Sequence, residues 1–207
     1  MKIKVCGMRD ANNIKELITL EPDYVGFIFH PSSPRYVGAD LSTEVTALVT
    51  KAKKVGVFVD CDFDDMREII HHHKLDAVQL HGNETPGECW LHRSLGLTVI
   101  KAFPIDASFD FTTLEPYQEA VDYFLFDTKT PKHGGSGQKF DWDILTRYNN
   151  AKPIFLSGGI DVDDVTAIKA LTHLNIHAVD VNSRFETAPA VKDIEKLKRF
   201  IIDLKQL

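Results

Sequence analysis

The chain has few cysteines, and their arrangement suggests neither covalent cross-links nor a metal site. Its three cysteines, Cys6, Cys61 and Cys89, are odd in number and widely spaced along 207 residues. Disulfide frameworks and zinc sites both need cysteines that are clustered or regularly spaced. The sequence therefore predicts a protein of the reducing cytoplasm with no bound metal, in which Cys61 and Cys89 have structural roles.

Long apolar runs and an excess of positive charge are also lacking. No segment approaches the length of a membrane-spanning helix, and the N-terminus alternates like a strand where a signal peptide would have an apolar core. A net charge of −6 argues against nucleic-acid binding, which needs a basic face. We expect a small-molecule partner, and an anionic one would have to be bound by local positive charge.

The sequence does contain a regular alternation of strand-like and helix-like segments. Strands are predicted at residues 2–6, 23–29, 55–59, 76–81, 98–103, 122–127, 153–157 and 177–182. Helices are predicted at residues 10–20, 42–53, 63–73, 85–95, 108–119, 140–148, 161–171 and 190–204. Such alternation gives parallel strands joined by right-handed crossovers.

Eight strand–helix units close naturally into a (β/α)₈ barrel. The main competitor is an open doubly wound sheet, which would usually carry a glycine-rich dinucleotide-binding turn after its first strand. The residues after Cys6 do not form such a turn. The sequence therefore predicts an α/β protein whose residues 1–207 form a single-domain TIM barrel.

In this fold the active site lies at the C-terminal ends of the strands. Several residues that ionise or bind anions are predicted to lie at that end of the barrel: Cys6, Arg35, His81, Asp127, Ser157, Asp180 and Ser183. The run His71–His73 looks like a metal cluster, but consecutive helical residues point in different directions. We therefore expect these histidines to be a solvated helix end.

Cys6 and Lys4 lie on the same face of the first predicted strand, because side chains two residues apart share a face. By itself Cys6 is more typical of a small buried apolar residue than of a reactive group. An ordinary thiol is only a few per cent thiolate at neutral pH. Lys4 would either stabilise the thiolate or form an ion pair with an acidic residue inside the barrel.

Two loops have the features of a phosphate site. Gly158 and Gly159 follow the seventh strand and precede a predicted helix at Asp161, and glycines let backbone N–H groups approach an anion. Ser183 would supply further donors after the eighth strand, and phosphate sites in this fold are commonly built from these two loops. The alternative is that the glycines form an ordinary strand-to-helix turn.

Asp127 ends an apolar strand, where an unpaired carboxylate is costly unless a site employs it. The long segment that follows contains Gly134, Gly135 and Gly137, which is typical of a lid over an active site. The alternative is a plain surface loop in which Asp127 caps a local turn.

Five motifs in order resemble phosphoribosylanthranilate isomerases. They are Lys4-Val5-Cys6-Gly7-Met8, Ser33-Pro34-Arg35-Tyr36, Val78-Gln79-Leu80-His81-Gly82, Asp127 with Gly134-Gly135-Ser136-Gly137, and Leu156-Ser157-Gly158-Gly159-Ile160. The resemblance covers residues 2–186 and implies a cofactor-free Amadori rearrangement in tryptophan biosynthesis. The substrate would be N-(5-phosphoribosyl)anthranilate and the product 1-(2-carboxyphenylamino)-1-deoxyribulose 5-phosphate.

The resemblance also implies roles for single residues. Cys6 matches the family's general base and Asp127 its general acid, while Arg35 matches the arginine that holds the anthranilate carboxylate. Asp180 matches a substrate-contacting acid, His81 is expected to contact substrate as well, and the positions that match the phosphate site are Gly158, Gly159 and Ser183.

One motif departs from the family. Residues 183–186 read Ser-Arg-Phe-Glu where the family usually has Ser-Gly-Val-Glu, so Arg184 replaces a glycine and we expect the local backbone to differ. Arg184 would either add charge near the phosphate or be solvated. Other readings of the whole chain are another phosphosugar isomerase or epimerase of this fold, or a catalytically silent barrel that binds a phosphorylated ligand. The oligomeric state is left open as a monomer or a homodimer.

Overall fold

Eight parallel strands form a closed barrel in a computed structural model that describes residues 1–130, 137, 139–149 and 151–206. In chain order the strands are β1 (Lys2–Val5), β2 (Tyr24–Ile28), β3 (Lys53–Phe58), β4 (Ala77–Leu80), β5 (Thr98–Ile105), β6 (Tyr123–Thr128), β7 (Ile154–Leu156) and β8 (Ile176–Val181). Each strand pairs with the next, and β8 pairs with β1. The prediction of a TIM barrel is confirmed.

The strands are apolar on both faces because the barrel interior lies on one side and the outer layer on the other. All four residues of β4 and the first four of β2 are buried. The seam between β1 and β8 runs from Lys2 opposite Ala178 to Val5 opposite Val181. This pairing brings the two ends of the chain together at the point where the active site is expected.

Among the described residues, the outer layer includes six α-helices: α1 (Ala11–Ile18), α2 (Thr43–Ala47), α3 (Phe63–His73), α4 (Pro86–Ser94), α5 (Val165–Ala170) and α6 (Ile194–Lys205). The helix predicted at 42–53 was too long, because Lys53 and Lys54 pair with β2 as the start of β3. His71 and His72 are exposed, as expected of a solvated helix end. His73, at the end of α3, is buried, so the prediction is wrong for this residue.

Two predicted helices after β5 and β6 are wrong in type. They are the 3₁₀ segments Phe111–Tyr117 and Trp142–Arg147, and a further 3₁₀ turn, Val162–Asp164, precedes α5. Pro116 lies inside the first segment and cannot donate the backbone hydrogen bond that a longer α-helix would need there. The strands are still joined by short outer segments, so the barrel order is kept.

The last predicted helix, at 190–204, also begins too early. Residues Glu186–Ala188 (β9) and Val191–Lys192 (β10) form a small antiparallel hairpin, and α6 begins after Asp193 caps it. This hairpin follows the 3₁₀ turn Ser183–Phe185, and Lys192 Nζ donates to the side-chain oxygen of Asn182, the residue after β8. The hairpin brings Glu186 and Lys192 close to the C-terminal ends of the strands.

The interior of the barrel changes character along its axis. At the N-terminal ends of the strands it is filled by apolar and aromatic side chains, including Tyr24, Phe155 and Ala178. Towards the C-terminal ends it contains Lys4, Gln79 and Asp180, all less than a tenth exposed. No helix among the described residues is long and apolar enough to cross a membrane.

Candidate active site

The C-terminal ends of the strands surround an open cavity. Its empty volume is about 820 Å³, part of which is open to solvent. The predicted site residues that line it are Cys6, Arg35, His81, Asp127, Gly137, Gly158, Gly159, Asp180 and Ser183. The other two predicted lid residues, Gly134 and Gly135, lie outside the described residues.

Cys6 follows β1 directly and is 4 % exposed. Its backbone N–H donates to the carbonyl of Val181 at 3.0 Å, and its Sγ lies against Gly26 of β2. A Cβ on Gly26 would lie only 2.7 Å from Sγ, so the glycine makes room for the thiol. Gly7, at a φ of +76°, turns the chain away so that the thiol faces the cavity.

Lys4 supports both of the roles that its position suggested. Its Nζ lies 2.9 Å from Asp180 Oδ1, and neither side chain is more than 6 % exposed. Burial alone would lower the pKa of Lys4, but Asp180 and Cys6 together raise it above its ordinary value. Burial raises the pKa of the Cys6 thiol, and Lys4 opposes that increase. Lys4 is therefore an ion-pair partner of Asp180 that also favours the thiolate.

Asp127 lies on β6 across the cavity from β1. Its Oδ1 accepts a hydrogen bond from the N–H of Thr128 at 2.9 Å, and its Oδ2 lies 3.5 Å from His81 Nε2. The Nε2 of Gln79 is 2.9 Å from His81 Nδ1. When Gln79 donates to Nδ1, the ring proton of a neutral His81 is on Nε2 and faces Asp127.

The loops after β7 and β8 present backbone groups to the same cavity. Gly158 and Gly159 have φ angles of +92° and +63°, which side chains on these residues would disfavour. Their N–H groups, and that of Ser183, make no hydrogen bond to a described residue. Asp161 was expected to start a helix there, but the 3₁₀ turn Val162–Asp164 begins instead. The carboxylate of Asp164 accepts a hydrogen bond from the N–H of Asp161.

Arg184 connects the loop after β8 to the loop after β6. Its Nε donates to the carbonyl of Gly137 at 2.8 Å, and both residues line the cavity. Arg184 lies in the 3₁₀ turn Ser183–Phe185 and does not have a positive φ, so no glycine is required at this position. The exposed guanidinium therefore adds positive charge beside Ser183.

Arg35 lines the cavity on the side of β2, and its guanidinium is paired with Glu186. Gly7 makes this arrangement possible, since a Cβ there would lie 2.8 Å from Arg35 Cδ and 2.9 Å from Asn182 Oδ1. Lys192 contacts the same Glu186 at 2.6 Å. Arg35 therefore places a positive charge beside the cavity, and some of its N–H groups already donate to Glu186.

A sequence model of the family described as N-(5'-phosphoribosyl)anthranilate isomerase matches residues 3–203. The chain belongs to this family. Its N-(5'-phosphoribosyl)anthranilate isomerase relative from Parabacteroides distasonis is 46 % identical over 204 residues, which are 97 % of this chain and 92 % of the relative.

Solved structures of the family agree with the barrel. Phosphoribosyl anthranilate isomerase from Thermotoga maritima has a TM-score of 0.88 and 32 % identity, with 100 % of both chains covered. A second isomerase structure, in complex with reduced 1-(o-carboxyphenylamino)-1-deoxyribulose 5-phosphate, has a TM-score of 0.85 and 28 % identity, again over 100 % of both chains. The agreement extends over the whole barrel and not only over the motifs.

Within this isomerase family fold, three buried polar residues of the site were not singled out from the sequence. Gln79, Glu186 and Lys192 contact His81, Arg35 and Asn182 respectively. Gln79 was quoted only as part of a motif, and Lys192 was placed inside a predicted helix. A polar residue at an inward strand position, as at Gln79, was the one local signal available. Lys129, which follows β6, pairs with Asp106 at 2.6 Å and is largely exposed.

Proposed function

We propose that this chain converts N-(5-phosphoribosyl)anthranilate to 1-(2-carboxyphenylamino)-1-deoxyribulose 5-phosphate, with Asp127 as general acid and Cys6 as general base. The observation that supports it best is that a carboxylic acid and a thiol line one cavity together with two glycine- and serine-containing loops, in a chain of the isomerase family. The reaction needs only proton transfers, so the proposal includes no cofactor.

Asp127 acts first, by protonating the ribose ring oxygen. The C1′–O bond then breaks, and its electron pair goes to the oxygen while the anthranilate nitrogen forms a Schiff base with C1′. A carboxylic acid can donate this proton if it is held close to the oxygen. On the protein side, the N–H of Thr128 donates to one oxygen of the Asp127 carboxyl group, and His81 Nε2 lies 3.5 Å from the other.

Cys6 acts second, by removing the proton from C2′. The positive Schiff base makes that proton acidic. The C–H electrons form the C1′–C2′ double bond of an enolamine while the C=N electron pair returns to nitrogen. The enolamine becomes the ketone by losing the proton of its 2′-hydroxyl and gaining a proton at C1′. The thiol needs help to ionise because burial raises its pKa. Lys4 and Lys192 both lower that pKa, and the positive charge of the Schiff base would act in the same direction.

The remaining site residues bind the two anionic ends of the substrate. We assign Gly158, Gly159 and Ser183 to the phosphate, because backbone N–H groups in such loops are well suited to anions. Arg35 would bind the anthranilate carboxylate, and His81 and Asp180 would contact the ribose. Gly137 would belong to a lid. A small phosphorylated substrate, a monomer or homodimer and a cytoplasmic location complete the proposal.

The test is an activity assay on the purified protein and on Asp127→Asn. Substrate is made in situ from anthranilate and phosphoribosyl pyrophosphate, and the loss of its fluorescence is followed. We expect turnover by the wild-type chain, and a kcat lower by roughly 10²–10⁴-fold in Asp127→Asn, which keeps the shape but cannot donate the proton.

Absence of turnover by a folded wild-type chain would contradict the isomerase. It would favour a barrel that only binds a phosphorylated ligand. Turnover of other phosphosugars in place of this substrate would favour an isomerase or epimerase of different specificity. Wild-type-like turnover by Asp127→Asn would contradict the assignment of the acid.

A further inference from the structure

Glu186 holds Arg35 through three short contacts, although 151 residues separate the two along the chain. Arg35 Nε is 2.8 Å from Oε1 and 3.0 Å from Oε2, and Nη2 is 2.7 Å from Oε2. The side chains are 9 % and 6 % exposed. Glu186 is not among the residues that line the cavity, so it lies behind Arg35.

The guanidinium has two edges, and each can donate two hydrogen bonds to a carboxylate that lies in its plane. Glu186 occupies the Nε–Nη2 edge. Nη1 makes no hydrogen bond to a described residue, so the Nη1–Nη2 edge is available. Since Arg35 lines the cavity, this edge is the part of the side chain that a ligand carboxylate can use.

Lys192 binds Glu186 from the other side. Its Nζ lies 2.6 Å from Glu186 Oε1 and 2.7 Å from Asn182 Oδ1, and its side chain is fully buried. Burial alone would raise the pKa of Glu186, but Arg35 and Lys192 together lower it below its ordinary value. Burial lowers the pKa of Lys192, and Glu186 opposes that decrease. With both basic groups protonated, the three side chains carry two positive charges and one negative charge.

We propose that Glu186 is a positioning residue for the substrate carboxylate, because it fixes one edge of Arg35 so that the other edge meets the carboxylate in plane. Lys192 keeps Glu186 in place and leaves the trio with a net charge of +1. This inference rests on the proposed function, in which Arg35 binds the anthranilate carboxylate. Glu186 itself does not contact the substrate.

A purely electrostatic account of Glu186 makes the opposite prediction. If the carboxylate only reduced the positive charge near Arg35, its removal would strengthen the binding of an anionic substrate and lower KM. If it orients Arg35, its removal should raise KM even though the local charge becomes more positive. The sign of the change in KM therefore distinguishes the two accounts.

The experiment measures Glu186→Gln with two substrates, N-(5-phosphoribosyl)anthranilate and N-(5-phosphoribosyl)aniline, which lacks the carboxylate. Turnover is followed by chromatography. We expect KM for the anthranilate substrate to rise about tenfold with kcat within about threefold of wild type, and KM for the aniline substrate to stay within about twofold. Arg35→Met should show the same difference between the substrates. Combining Arg35→Met with Glu186→Gln should cause no further rise in KM.

Glu21→Gln is the matched control, because Glu21 also pairs with a lysine, Lys51 at 2.9 Å, but is exposed and does not line the cavity. It should change neither KM. If Glu186→Gln folds poorly because Lys192 is left buried without its partner, Glu186→Gln/Lys192→Met removes that charge. The double variant should then show the same difference between substrates.

A fall in KM, an unchanged KM, or an equal rise for both substrates in Glu186→Gln would each overturn the positioning role while leaving the isomerase intact. Lack of any substrate difference in Arg35→Met would overturn it through the assignment of Arg35. An inactive wild-type chain would overturn the proposed function itself, and this inference with it. A rise in KM confined to the anthranilate substrate supports the inference.

Discussion

At the scale of single residues, Cys6 combines two opposing influences. The thiol is almost fully buried, which raises its pKa, yet two buried lysines, Lys4 and Lys192, lie close enough to lower it. Each lysine has its own carboxylate, Asp180 for Lys4 and Glu186 for Lys192. Burial therefore favours the neutral thiol, and the two lysines oppose that effect by favouring the thiolate.

Replacing Cys6 by serine tests whether this thiol is the base. Serine has nearly the same size as cysteine, but its hydroxyl is a far weaker acid than the thiol. We therefore expect kcat to fall by roughly 10²–10⁴-fold with little change in KM. Steady-state kinetics by the fluorescence assay measures the effect. Cys61→Ser is the control, because Cys61 is partly exposed and does not line the cavity. Full activity of Cys6→Ser would show that another group removes the proton.

At the scale of elements, the strands could be predicted from the sequence and several outer segments could not. Eight apolar runs with glycine or polar ends identify the strands, since parallel strands covered on both faces need such runs. The segments after β5 and β6 were predicted as α-helices because periodicity does not distinguish a short α-helix from a 3₁₀ segment. Their type depends on packing against the barrel, which no local pattern records.

The site was predictable in the same uneven way. Cys6, Asp127 and Ser183 could be placed because strand ends in this fold converge on one cavity. Glu186 and Lys192 could not, because their contacts with Arg35 and Asn182 depend on a hairpin that was not predicted and whose second strand fell inside the helix predicted at 190–204. Partners far apart in sequence are known only once the barrel has closed.

The loop after β7 depends on the absence of a side chain at Gly158. An added Cβ would clash with Thr128 Oγ1 and lie 2.9 Å from the Thr128 N–H nitrogen, in a backbone with a φ of +92°. For Gly158→Ala we expect a free energy of unfolding lower by about 1–3 kcal/mol and weaker inhibition by inorganic phosphate. Urea titration and the inhibition constant of phosphate measure the two effects.

Gly96→Ala is the control for that variant. Gly96 also has a positive φ, +84°, but open space surrounds the position of a Cβ. It should lose stability of similar origin, on the order of 1–2 kcal/mol, while the inhibition constant of phosphate stays the same. An unchanged phosphate constant in Gly158→Ala would argue that this loop does not bind the anion.

At the scale of the whole molecule, the N-terminal end of the barrel is closed by a neutral histidine. His177 Nε2 lies 2.8 Å from the Tyr24 hydroxyl, and the ring packs against Tyr123 with centroids 4.3 Å apart. Burial, followed by the nearby charge of Lys2, lowers the pKa of His177 to about 4. The folded barrel therefore binds this proton less readily than the unfolded chain.

Stability should fall as the pH drops from about 6.5 towards about 4, because the unfolded chain gains a proton on His177 in this range and the folded chain does not. In His177→Gln this part of the pH dependence should be lost, so the difference in free energy of unfolding between pH 7 and pH 5 becomes smaller. Urea titrations at the two pH values measure it. His173→Gln, at an exposed position, should keep the wild-type difference. An unchanged difference in His177→Gln would contradict the assignment.

The seam between β1 and β8 has a consequence for synthesis of the chain. Lys4 is translated 176 residues before its partner Asp180, and Lys192, which also lies close to Cys6, follows later still. Until β8 pairs with β1, Lys4 has no carboxylate inside the barrel, and burying it alone would be strongly unfavourable. A nascent chain that stops short of residue 192 therefore cannot complete the charge arrangement around Cys6, which forms only after Lys192 has been translated and β8 has paired with β1.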